Sequence, residues 1–172
     1  MSKENKILDL VVKGEWFDKI KSGEKKHEYR LANTYWHTRI NNLARPAKVR
    51  FRRGYAKNAD TMLFDIKSIK IVDGRDTDLH VADCVFDIEL GEVQPKFAVG
   101  QVVFGIIKGV IGWVAINSIR IVSYYQLGNF FYYIVTIAAV EHAFPEDRLF
   151  KTKQEAVAEA ERLNDFEKNP PF

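Results

Sequence analysis

Cysteine is almost absent from this chain, and its absence closes off several explanations. One cysteine, Cys84, among 172 residues forms no intrachain disulfide and no paired-thiol zinc site. The four histidines, His27, His37, His80 and His142, show no zinc-enzyme spacing. No phosphate-binding glycine loop, dinucleotide fingerprint or serine-hydrolase elbow occurs, so neither a metal nor an organic cofactor is expected. Glycine and proline are sparse, with 10 and 5 residues. With 47% apolar and 28% charged residues, the composition is that of a folded protein. The most apolar stretch, residues 99–121, is broken by Gly105, Lys108, Gly109, Gly112 and Asn117, which argues against a membrane span. The chain begins MSKENK, without the apolar core of a secretory leader. A lone thiol also suits a reducing compartment, so a cytoplasmic location is expected.

Charge is present but unevenly spread. Residues 1–60 carry fifteen Lys/Arg against seven Asp/Glu, a net of +8. Residues 61–172 carry eleven against sixteen, a net of −5, leaving +3 overall. A basic front and an acidic back suggest a polyanionic partner for one end of the molecule.

Alternation places a strand at residues 7–12, with Leu8, Leu10 and Val12 on one face. Residues 15–21 read as a short helix burying Trp16, Phe17 and Ile20, stopped by Ser22-Gly23. Residues 25–30 alternate again, with Lys26, Glu28 and Arg30 on one side and His27 and Tyr29 on the other. A helix is expected at 34–43, with Trp36, Ile40 and Leu43 inward and Pro46 marking a break. Strands follow at 49–53, 61–72 and 85–90, the last two separated by a polar loop with Asp73, Asp76, Asp78 and Asp83. Gln94-Pro95 is the expected domain boundary. Beyond it, four short strands at 99–107, 109–116, 118–124 and 131–138 are expected, with turns at Gly100, Gly112 and Gly128. Thr152 and Glu155 form a capping-box pattern, opening a helix with Ala156, Val157, Ala160 and Leu163 on one face. The tail, Asn169-Pro-Pro-Phe, is expected to be loose.

The residue types that carry chemistry concentrate between Gly23 and Tyr55, in SGEKKHEYR, TYWHTR and RFRRGY. Arg39, Arg52 and Arg53 suit phosphate, because guanidinium binds it bidentately. Tyr29, Tyr35, Trp36 and Tyr55 offer faces on which unpaired bases stack. Glu28 is either an ion-paired carboxylate or, in an apolar pocket, a proton carrier. The ordinary reading of each stands beside these. Mixed charge on a strand is usually solvated surface, Trp16, Phe17 and Trp36 have core spacing, and four aspartates without metal-loop spacing make an acidic loop.

Taken in order, W-F-D-x-I-x-S-G-E-K, E-Y-R, Y-W-x-x-R and V-R-F-R-R-G-Y resemble an ASCH domain. The motif G-x-K-x-x-E-x-R is matched by Gly23, Lys25, Glu28 and Arg30. The resemblance spans about residues 6–93 and is greatest to phage and bacterial versions. It implies an α+β fold, a PUA-like β-barrel with flanking helices over residues 1–94. Residues 95–172 resemble a small Src-homology-like β-barrel ending in a helix. The resemblance further implies a cleft beside the motif that binds RNA or nucleotides. Some small bacterial members hydrolyse the acetyl amide of acetylated cytidine, and others are ribonucleases using tyrosine and lysine. The expected function is therefore binding of nucleic acid or a nucleotide, RNA or a modified nucleotide foremost, in a basic cleft. The alternatives are a hydrolase or ribonuclease and a protein-interaction adaptor, with a protein partner at residues 95–172 signalled by exposed Tyr124, Tyr125, Phe130 and Phe131. The catalytic candidates are Lys25, Glu28 and Tyr35. The ligand-binding candidates are Arg30, Trp36, Arg39, Arg52, Arg53 and Tyr55.

Overall fold

The computed structural model describes residues 5–109 and 112–170. The expectations that touch Met1 to Glu4, Val110-Ile111 and Pro171-Phe172 lie outside the described residues, including part of the 109–116 strand and of the tail. The chain divides into two compact units, Met1–Gln94 and Pro95–Phe172. The fold is mostly β with three α-helices among the described residues.

In the first unit, β1 (Asn5–Val12), β3 (Leu43–Arg53), β4 (Thr61–Asp73), β5 (Cys84–Gln94) and β2 (His27–Leu31) form one sheet in the order β1-β3-β4-β5-β2. The sheet curls into a half-barrel. Alternation determines what it encloses. Leu8, Leu10 and Val12 of β1, Val49 and Phe51 of β3 and Ile88 of β5 are buried, while their neighbours Asp9 and Arg50 face water. Helix α1 (Gly14–Ser22) buries Phe17 and Ile20, each worth about 1.5–3 kcal/mol of apolar transfer. It ends at Gly23, whose φ of 81° is the left-handed conformation that glycine reaches without strain. Helix α2 (Thr34–Asn41) is capped by the Asn33 side chain, which accepts from the Trp36 amide at 3.1 Å.

Strands β1 and β2 are the two edges of this sheet. Arginine side chains occupy the outward carbonyls of β1: Arg39 donates to the Asp9 carbonyl at 3.1 Å and Arg30 to that of Val11 at 3.4 Å. These two carbonyls are thereby satisfied without another strand. Pro46 does not mark the break expected between helix and strand, because β3 already begins at Leu43. It lies exposed inside β3, where the β1–β3 register shifts between Asn5 and Ile7 and no ladder amide is required of it.

In the second unit, β6 (Val102–Gly109), β7 (Gly112–Leu127), β8 (Phe130–Ile137) and β9 (Val140–Pro145) form an antiparallel meander, with β10 (Leu149–Phe150) on the outer side of β6. The expected strands at 109–116 and 118–124 are one strand, β7, within the described residues. Helix α3 (Lys153–Lys168) opens with a formed capping box. The Glu155 amide donates to Thr152 Oγ1 at 3.2 Å, and Glu155 Oε2 accepts the Thr152 amide at 3.1 Å. Ala156 and Ala160 pack with Ile106, Trp113 and Leu163. Among the described residues no helix is long and apolar enough to cross a membrane.

Candidate functional site

The first unit holds a pocket of about 380 Å³ lined by Val11, Val12, Lys13, Trp16, Lys25, Glu28, Tyr29, Arg30, Asp78 and Leu79. Local structure delivers each charged group. After Gly23 terminates α1, the Lys25 amide donates back to the Lys19 carbonyl at 3.0 Å, which folds the chain under the helix. Lys25 then lies 5.0 Å from the centre of the Trp16 ring and 5.0 Å from that of Tyr29. Cations favour such aromatic faces. Because Lys25 precedes the first residue of β2, the strand alternation does not govern it, and it joins Glu28 in the pocket. The flanking cations of Glu28 are thus Lys25 and Arg30, while Lys26 is exposed.

Glu28 is the buried member of this group, 4% exposed. Arg30 Nη1 donates to Glu28 Oε1 and to the Tyr29 carbonyl at 2.8 Å, and Lys25 Nζ lies 3.7 Å from Glu28 Oε2. Burial pushes the Glu28 carboxyl above the ordinary glutamate value, against the pull of Arg30 and Lys25, and nearby Asp78 raises it further. Tyr29 is also raised, chiefly by burial and then by Asp87 and Asp78.

Asp78 closes the constellation from the β4–β5 loop. Gly74 is the hub of that loop. Its amide donates to the Asp83 carbonyl at 2.9 Å, and its own carbonyl accepts the buried Thr77 hydroxyl at 2.8 Å and the Val81 amide at 3.3 Å. A Cβ on Gly74 would lie 2.6 Å from the Asp83 oxygen, so only glycine fits without displacement. The loop thus held presents Asp78 to Lys25, with which it forms a direct ion pair. Of the four loop aspartates, Asp78 alone lines the pocket. Among the described residues no cluster could hold a metal ion.

The structure brings Lys25, Glu28 and Arg30 together in the pocket lining, which includes none of the other candidates. Tyr35 is 57% exposed on α2, where its hydroxyl accepts from Arg39 at 2.9 Å, so it does not line the pocket with Lys25 and Glu28. Trp36 is half-buried beside Arg30 and Arg39, both 5.5 Å from its ring centre. The remaining arginines have partners of their own. Arg52 donates to the Ala56 and Lys57 carbonyls, and Arg53 pairs with Asp18 at 2.7 Å. Tyr55 is 89% exposed. Trp16, which has core spacing, is instead a wall of the pocket, and Asp78 carried no sequence signal beyond its acidic loop.

Each unit carries a further feature of its own. In the first unit, His27 Nδ1 of β2 lies 2.7 Å from Asp87 Oδ1 of β5, and the His27 ring stacks on Tyr29 at 6.3 Å. In the second unit, Tyr124, Tyr125 and Phe130 are exposed, as an interaction surface requires, whereas Phe131 is 4% exposed and packs under Tyr124. Neither a protein-family model nor a curated protein matches the chain.

Proposed function

We propose that the first unit binds a nucleotide or nucleic acid, RNA foremost, by receiving a base in the pocket between Trp16, Tyr29 and the Lys25–Glu28–Arg30 group. The observation that carries this reading is the convergence of the three charged residues of G-x-K-x-x-E-x-R on one pocket with two aromatic walls. Its volume, about 380 Å³, is within the range of small-molecule sites. Charged groups fixed on such walls can read the polar edge of a base whose face meets an aromatic ring. The arrangement agrees with the resemblance to the ASCH family and with a PUA-like barrel for residues 1–94, joined to a small barrel-like unit whose exposed tyrosines suit a protein partner. Titration of the full chain with the four ribonucleosides, acetylated cytidine and short single-stranded RNA tests the reading. Saturable binding that is lost on Trp16→Ala supports it, and no binding by any of these ligands overturns it.

A second reading, hydrolysis of an acylated nucleoside, is favoured by the contact between Lys25 and the buried Glu28. Glu28 would take a proton from water as the oxygen attacks the acyl carbon. Lys25 would steady the oxyanion, and the proton would pass to the departing amine as the C–N bond breaks. Binding ranks first because Asp78 already neutralises Lys25. Turnover of acetylated cytidine by the wild-type chain and not by Glu28→Gln would reverse that order.

A further inference from the structure

Besides the exposed Lys13, the pocket combines two cations, Lys25 and Arg30, with two carboxylates, Glu28 and Asp78. Neither cation is free. The Lys25 side chain is 9% exposed and its ammonium is held by Asp78 and faced by Glu28. Arg30 is bonded to Glu28 and to the carbonyls of Tyr29 and Val11. A phosphate entering here would have to displace a carboxylate from a nearly buried ammonium and then sit beside two negative charges. An uncharged ring with donors and acceptors on its edge meets no such barrier. Lys13, by contrast, is exposed at the rim and forms no ion pair among the described residues.

We propose that Asp78 is a specificity-determining residue that neutralises Lys25 so that the pocket admits an uncharged heterocycle and turns away phosphate and other anions. The phosphate of a nucleotide then stays at the mouth, on the Lys13 side. This proposal rests on the nucleotide reading of the pocket for its ligand class. The exclusion of anions follows from the ion-pair geometry alone.

The test is calorimetric titration of the full chain with inorganic phosphate, and separately with cytidine and cytidine monophosphate. Three proteins are compared: wild type, Asp78→Asn and the double variant Asp78→Asn/Lys25→Met, each first shown to be folded by circular dichroism. The amide keeps the shape of Asp78 and removes its charge, so the loop is retained. Phosphate should bind Asp78→Asn about tenfold or more tighter than wild type, one unit of charge having been removed beside Lys25, and the double variant should lose that gain. Wild type should bind cytidine and its monophosphate within about threefold of each other, and Asp78→Asn should favour the monophosphate. Equal phosphate affinity in wild type and Asp78→Asn, or a gain that survives loss of Lys25, overturns the proposal. If the phosphate pattern holds but no nucleoside binds any variant, anion exclusion stands and the nucleotide reading falls. If nucleosides bind but the phosphate pattern fails, the nucleotide reading stands and the role of Asp78 falls.

Discussion

Replacing Glu28 by glutamine should leave the protein at least as stable at neutral pH while impairing its pocket. Glu28 is 4% exposed, is bonded to Arg30 and faces Lys25. Its carboxyl is raised above the ordinary value because burial outweighs the two cations. The folded chain therefore holds the Glu28 proton more tightly than the unfolded chain. By linkage, the Glu28 contribution to stability is greatest below the unfolded value of 4.5, falls as pH rises through the folded value, and stays low above it. Glutamine does not ionise and escapes that fall. What it gives up is the charge assistance in the Arg30 bond, about 1 kcal/mol when a charged acceptor becomes a neutral one. The raised pKa means that desolvation exceeds such pairing, so Glu28→Gln gains on wild type as pH rises and loses that advantage near pH 4. Glu28→Ala behaves differently. It leaves Arg30 and Lys25 without this carboxylate and should cost about 3–5 kcal/mol. Urea denaturation between pH 4 and 8 measures both variants, in a Trp113→Phe background so that Trp16 and Trp36 report on the first unit. A difference that grows in favour of wild type as pH rises would refute the reasoning, because ionised Glu28 would then stabilise the fold.

Other consequences are local. Trp16→Ala should weaken ligand binding by about 1–3 kcal/mol, the range for one base–aromatic stack, read by calorimetry. Gly74→Ala should destabilise by about 1–3 kcal/mol through overpacking against Asp83 and Val81, and should disturb presentation of Asp78, so phosphate exclusion weakens with it. Tyr133→Phe should cost about 1–3 kcal/mol in a thermal melt, because the Phe97 amide loses its acceptor at 3.1 Å in a buried setting. Thr152→Ala should cost about 1 kcal/mol by breaking the capping box of α3.

Much of the scaffold was legible because burial follows period. Leu8, Leu10 and Val12 alternate into the core, Phe17 and Ile20 follow a helical face, and the Thr152–Glu155 pair marks a helix start that forms as written. Other elements carried weaker signals. Strand β9 went unread because four of its six residues are exposed consecutively, and the turn before it uses Ala138 and Ala139 at φ 50° and 66° with no glycine or asparagine to announce it. Strand β7 was split at Asn117-Ser118, which resembles a turn but is the irregularity in β7 opposite the register shift between Val103 and Gly105. The site was half legible. Lys25, Glu28 and Arg30 are close in sequence and share a motif. Asp78 reaches Lys25 from 53 residues away through loop geometry centred on Gly74, which periodicity does not encode. Arginine composition misled in the opposite direction. The cationic look of residues 39–53 is largely consumed internally, by the Asp9–Arg50 pair at 2.5 Å, the Asp18–Arg53 pair and backbone carbonyls.

The most direct measurement is nuclear magnetic resonance titration of the full chain with a nucleoside and with a short single-stranded RNA. The account predicts saturable shifts at the Trp16 indole and at the Glu28, Tyr29 and Arg30 amides, with none at Tyr125 or Tyr132 of the second unit. Shifts confined to the second unit, or none with either ligand, would contradict it.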